Sequence, residues 1–402
     1  MLKTASKECQ VRLVIGVALA ALVAKLYCVA TTFGSGDVSV IYHFGQVIDA
    51  HGMDYLYRTD RLFNHPPLAG SFFWWLYHYS SAISAVGVCG VPTALPVLLR
   101  IPSVLADFAA VLILLRIHAK TGKPALGALM LFAASPVAFM VSGFHGNTDS
   151  IMVCLLLAAA WGCVEEQPLL CGLFLGLGCN VKVVPLLLAP VFFFFWLHRG
   201  PGKAARFSMI FGLFCLAGWS AALIGSPVQF LQDVLCYPSW AGAWGVTYWY
   251  CYLADHLHLS VPGRYPFEKI PWVLTSLKLA IIAVILLAGW MRRQRDGMGL
   301  FATITFSWIC FMILAPGFVP YYLVWLAPFL VCYSTAWYGV VTAASSIYLF
   351  AYYNAMSHGM PWNVADLGAP PTWPVWGNVP WAALIVMAGV ALGRLWLRKA
   401  RP

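Results

Sequence analysis

Residues 31–68 read TTFGSGDVSVIYHFGQVIDAHGMDYLYRTDRLFNHPPL, a polar and acidic stretch between two regions of apolar sequence. Four of the chain's 14 acidic residues, Asp37, Asp49, Asp54 and Asp60, fall in it, beside Arg58, Arg61, His43, His51 and His65. The run before it, Val11 to Thr32, is long enough for a membrane-spanning helix. It is too long for a signal-peptide core and lacks a convincing cleavage site, so it reads as a retained anchor. Asp37 follows within a few residues and is expected at the membrane surface. It also opens an apolar–polar run (Val38, Ile41, Phe44, Val47, Ile48) with helical spacing, which predicts an amphipathic helix at the interface. The Gly-Ser-Gly before it reads as a flexible approach. A carboxylate there can serve as a first-turn charge favoured by the helix dipole or as a catalytic base, and the residues alone leave both readings open.

Working outward, the 402 residues are 61% hydrophobic and 9% charged, with mean hydropathy +0.80. Soluble domains carry about 25% charged residues, so the chain is read as an all-α polytopic membrane protein forming one integral domain over residues 1–402. The net charge of +10 is spread over short loops, which reports orientation in a membrane and implies membrane lipids rather than nucleic acid as partners. The cysteines lie mostly within spans, where they act as small apolar residues. Cys236 and Cys251 share one outer loop and could pair. Walker, Rossmann, His-Glu-x-x-His, Gly-x-Ser-x-Gly, Asp-x-Asp and Cys-x-x-Cys patterns are absent, so no cofactor and no metal is expected. The lack of an Asn-x-Ser/Thr sequon points towards a bacterial source.

Twelve spans (11 to 13 with the uncertainty of edges) are expected near 11–32, 97–117, 124–142, 149–164, 168–181, 183–197, 204–225, 271–290, 299–315, 319–334, 336–353 and 379–397. With a cytoplasmic N-terminus, sixteen of the 24 basic residues fall in cytoplasmic segments, as the positive-inside bias requires. Residues 68–90 are apolar enough to span, but a span there would invert every later loop. They are therefore expected on the outer face, where Trp74, Trp75, Tyr77 and Tyr79 suit the headgroup zone. Outer loops 33–96, 226–270 and 354–378 are then expected to form the site, with Trp244 among the loop aromatics able to stack on a sugar. No internal repeat of transporter scale is visible.

His145-Gly-Asn147-Thr-Asp149 sits between two spans, where its residues can cap the next helix or bind a hydroxyl or phosphate. Lys182 interrupts a long apolar tract. A membrane-embedded charge costs at least about 2.5 kcal/mol at mid-bilayer, so it should face a cavity, a partner or an anionic ligand unless it snorkels. Arg100 opens the second span, and Asp107 lies seven residues deeper, where a structural polar contact is expected. Arg264, Lys269, Lys278 and His358 add positive charge to an acidic outer face.

The order Asn64-His65-Pro66-Pro67-Leu68, Arg100-Ile-Pro-Ser-Val-Leu-Ala-Asp107, Ser135-Pro136 with His145 to Asp149, and Asn180-Val181-Lys182 resembles the GT-C glycosyltransferases. Within them it is similar to the dolichyl-phosphate-glucose-dependent glucosyltransferases of the N-glycan pathway and their bacterial relatives, over roughly residues 35–200. The resemblance implies an inverting hexosyltransferase with a polyprenyl-phosphate-sugar donor and a lipid-linked or glycan acceptor, working at the non-cytoplasmic face. That face is periplasmic in a bacterial inner membrane and lumenal in the endoplasmic reticulum. It makes Asp37 the catalytic base and Lys182, Arg100, Arg264 and His358 candidate phosphate ligands. His65, His145, Asn147, Asp149, Tyr321, Tyr322 and Trp244 become candidate substrate contacts. Phe318-Val-Pro-Tyr321-Tyr322 departs from the eukaryotic His-Glu-Lys triplet towards the tyrosine-rich bacterial pattern. A lipid-linked saccharide flippase, or a non-catalytic subunit on the same scaffold, is the alternative reading.

Overall fold

A computed structural model describes residues 2–237, 239, 241–257, 271–291, 296–365 and 375–399. The protein is a helical bundle. Helix α1 (Leu2–Thr31) leads into the short helices α2 (Asp37–His51), α3 (Met53–Thr59) and α4 (Pro67–Ile83), then α5 (Leu95–Thr121). Next come α6 (Leu126–His145), α7 (Asp149–Val164) and α8 (Pro168–Val181). Among the described residues six helices are long and apolar enough to cross a membrane, and five apolar helices of 10–17 residues lie among them. The protein is thus an integral, multi-pass, all-α membrane protein. Its main core runs between the long helices, and a second core lies beneath α2, α3 and α4.

The apolar stretch 68–90 does not join the long helices. Pro67 starts α4 as a first-turn proline, at a position whose missing N–H costs nothing. The helix lies along α2, with Phe73 and Leu76 buried and Trp74, Trp75 and Tyr79 exposed. The two helices touch closely because position 45 is glycine: a Cβ there would sit 2.5 Å from the Phe73 carbonyl oxygen. Gly45→Ala must therefore push α2 off α4. A loss of about 1–3 kcal/mol is expected, read as a lower unfolding temperature of the purified protein in detergent.

Charges sort to opposite ends of the bundle. Lys120 meets Glu165 at 2.7 Å and Lys203 meets Glu166 at 3.4 Å at one end. Asp37 and His145 meet at the other. Between them Lys25 contacts Asp107 at 2.6 Å, and Ser142 donates to the same carboxylate at 2.5 Å. This is the structural contact expected of Asp107. Its partner Lys25, inside the first span, had no visible signal beyond its position in an apolar run. Among the described residues no disulfide joins Cys236 to Cys251.

The approach to α2 is clamped rather than flexible. Gly34 and Ser35 form strand β1, which pairs in parallel with β2 (Val364–Ala365). Phe33 and Gly34 donate to the Asn363 carbonyl at 2.9 and 3.0 Å, and Gly36 donates to that of Ala365 at 2.9 Å. Gly34 has φ 103°, and a Cβ there would lie 2.7 Å from the Phe144 carbonyl oxygen. Glycine is used for backbone approach, and the segment beside Asp37 is rigid.

Candidate active site

Asp37 is the first residue of α2 and leads with its carboxylate at the helix N-terminus. Ser35 fixes its backbone: the hydroxyl donates to the His145 carbonyl at 2.6 Å and accepts from the Asp37 N–H at 3.3 Å. The Asp37 side chain is 24% exposed, and its Oδ2 lies 3.0 Å from Nε2 of fully buried His145. With the carboxyl ionised, Nε2–H is the donor. Burial pushes the carboxyl up, but the adjoining His145 ring and its hydrogen bond, with Lys182 and His65 beyond, outweigh it and hold the group below its ordinary 3.8.

His145 ends α6, whose last seven residues (Phe139–His145) widen into a π-helix after the Ser135-Pro136 break. Gly146 then turns the chain at φ 87°. The His145 ring packs 4.2 Å from the Tyr321 ring and 5.6 Å from that of Tyr353. Two residues on, the Asn147 side-chain oxygen accepts from the Asp149 N–H at 3.1 Å at the start of α7, while Ser103 holds the Asn147 carbonyl at 2.5 Å. The Asn147 amide nitrogen is buried without a partner.

Asp149 is fully buried. One oxygen meets Lys182 Nζ at 2.7 Å and the other accepts from Trp325 Nε1 at 2.5 Å. Lys182 terminates α8 in an extended conformation, so it stands at the helix end rather than within a span. Its side chain is 14% exposed, with Nζ 5.5 Å from the ring centroids of both Tyr321 and Tyr322. Cation and carboxylate thus share one buried pair walled by aromatics. His65 belongs to the same group, since Lys182 and Asp37 both act on its ring. Seven of the expected residues, Asp37, His65, His145, Asp149, Lys182, Tyr321 and Tyr322, gather here, with Asn147 just behind.

Three others stand elsewhere. Arg100 is fully buried, and its N–H groups go to the carbonyls of Pro96, Val29, Thr32, Gly143 and Phe144 and to the Thr32 hydroxyl. Apart from that of Pro96, in the first turn of Arg100's own helix, these carbonyls lie at the C-terminal ends of α1 and α6, where helices leave acceptors unpaired. Arg100 is thus a double helix cap with no N–H left for a phosphate. Trp244 is buried, stacked 4.2 Å from Phe318, with its indole donating to the Met312 carbonyl, so it packs the core instead of offering a face to a sugar. His358 is exposed in the turn after the helix Thr335–Met356, and the described contacts do not link it to Asp37 or Lys182. Arg264 and Lys269 lie outside the described residues. Sequence reasoning missed Ser35, Trp325 and Tyr353, whose buried hydroxyl has no partner. Only Tyr353 had a signal, the tyrosine pair Tyr352-Tyr353 in a stretch read for His358.

The profile of glycosyltransferase family 87 matches residues 63–316, more than half of the chain. The chain belongs to glycosyltransferase family 87. It is therefore a membrane glycosyltransferase, with a sugar donor and an acceptor as its substrates. No curated protein matches it. The family segment contains His65, Arg100, His145, Asn147, Asp149 and Lys182. Asp37 and Tyr321 lie outside it, so their assignment rests on geometry.

Proposed function

We propose that this family 87 enzyme is of the GT-C type and transfers a hexose from a polyprenyl-phosphate carrier to a hydroxyl of a lipid-linked or glycan acceptor. Transfer takes place with inversion and without a metal, at the non-cytoplasmic face, which is the periplasmic face of a bacterial inner membrane. The observation that carries the reading is the partly exposed Asp37 carboxylate, held 3.0 Å from buried His145 and electrostatically coupled to Lys182. Asp37 takes the proton of the acceptor hydroxyl as the oxygen attacks the anomeric carbon. The bond from that carbon to the phosphate oxygen breaks, and its electron pair leaves on the lipid phosphate. Phosphate is already a good leaving group, so one base and charge stabilisation suffice. His145 aims the carboxylate, and its buried position keeps that aim fixed.

The experiment is turnover by the purified enzyme in lipid, supplied with a panel of polyprenyl-phosphate hexoses and scored for sugar release to an acceptor. Absence of transfer with every donor, alongside passage of intact lipid-linked sugar across vesicles, would instead favour a flippase. The Lys25–Asp107 pair inside the bundle is a feature that suits that rival.

A pH dependence follows from the depressed Asp37 carboxyl. The base is active when ionised, so kcat/KM is expected to stay level between about pH 5 and 7 as far as this group is concerned. It should fall only as the pH drops through a value below 3.8. The Asp37–His145 contact contributes stability above that ordinary value and loses it on the same descent. A fall in kcat/KM centred between about pH 5 and 6 would mean that the carboxyl is not held ionised.

A further inference from the structure

Lys182 by itself is a weak seat for a phosphate ester. Its ammonium already faces the buried Asp149 carboxylate at 2.7 Å, and Asp37 adds a second negative charge nearby. Arg100 is saturated. Among the described residues, His65 is a side chain of this cluster with no hydrogen-bond partner and, unlike buried His145 and Asn147, whose Nδ1 and Nδ2 are also unpartnered, its ring is partly open.

The fold holds that ring still. Its centroid lies 4.9 Å from that of Phe73, at 85° between planes, 6.0 Å from Phe63 and 6.4 Å from Phe44. The Tyr57 hydroxyl donates to the His65 carbonyl at 2.7 Å, and two prolines follow directly. The ring is half-buried. Its Nδ1 is sealed off without a partner, leaving Nε2 as the nitrogen open to a ligand. A proton on Nδ1 would be a buried donor with no acceptor, so it belongs on Nε2. Burial first, then the Lys182 charge, pushes the imidazole down to about 3 against an opposing pull from Asp37. The ring is therefore an uncharged N–H donor at working pH, and protonation does not switch it.

We propose that His65 is a binding residue for the departing lipid phosphate, donating Nε2–H to a phosphate oxygen while Lys182 supplies the opposing charge. The inference rests on the polyprenyl-phosphate reading above and names the second group that holds the phosphate. As the bond to the anomeric carbon breaks, the phosphate gains a full negative charge. A fixed neutral donor answers that charge without adding a cation that would pair with Asp37 and quench the base.

The test is binding of polyprenyl phosphate to the purified full-length protein in detergent, with the uncharged polyprenol as control. His65→Phe fills the phenyl-lined box but removes the N–H, and is expected to weaken polyprenyl phosphate binding by about 10–100-fold, with polyprenol unaffected. His65→Gln places an amide N–H near the Nε2 position and should bind within about threefold of wild type, whereas His65→Asn, whose amide reaches only the Nδ1 position, should bind as His65→Phe does. The Gln and Asn pair decides the matter if the Phe variant does not fold. Equal binding of polyprenyl phosphate by wild type and the Phe or Asn variant overturns the inference and leaves the donor reading intact. A wild-type protein that fails to prefer polyprenyl phosphate over polyprenol overturns the donor reading itself.

Discussion

Asp37→Asn is expected to lower turnover by about 10²–10⁴-fold while the purified protein stays monodisperse and folded. The size of the effect follows from what an amide cannot do. Asparagine keeps the shape of the side chain and its place on Ser35 and α2, but it cannot accept the proton of an attacking hydroxyl. The fold should tolerate it because the carboxylate is partly exposed and its one close partner, His145, is held independently by the α6 turn. Turnover near that of wild type in a monodisperse sample would remove Asp37 from the chemistry.

The second large effect is on stability. Lys182→Met leaves the fully buried Asp149 carboxylate with only the Trp325 N–H, and breaking a buried pair by removing one partner costs about 3–5 kcal/mol. The double change Lys182→Met with Asp149→Asn removes both charges, and most of the lost stability should return, because an apolar or neutral replacement of a buried pair is often close to neutral. Activity should not return with it if Lys182 also answers the phosphate. Unfolding temperatures of the two single variants and the double variant, with turnover measured on each, separate the two roles. A double variant no more stable than Lys182→Met would mean that the pair does not act as a unit.

Much of the arrangement was legible from the chain. The acidic loop after the first apolar run marks the end of the bundle where the site gathers, and the alternation of basic loops kept residues 68–90 out of the long helices. The helical spacing from Val38 to Ile48 placed Asp37 at the head of α2. Lys182 was legible as a charge in need of a partner, because its cost in an apolar tract is high whatever the fold. What could not be read was long-range. Arg100 looks the same in sequence whether it meets phosphate or carbonyl oxygens, and only the convergence of two helix ends decides it. Trp244 likewise sits in an aromatic loop, and whether an indole faces a sugar or Phe318 depends on contacts that no local pattern encodes. The Gly-Ser-Gly segment misled because glycine serves both mobility and close backbone approach, and the difference lies in residues more than 100 positions away.

The short parallel ladder between residues 34–35 and 364–365 has a consequence for biogenesis. The Asn363 side-chain oxygen that meets the Phe33 N–H stands 330 positions downstream. A ribosome must therefore insert nearly the whole polypeptide before the platform beneath Asp37 can close. A chain cut short of this ladder would keep its early helices and the buried residues of the core beneath α2, α3 and α4, yet carry an unarmed carboxylate. Premature products of translation are thereby denied competence at the membrane surface until residues 363–365 have arrived.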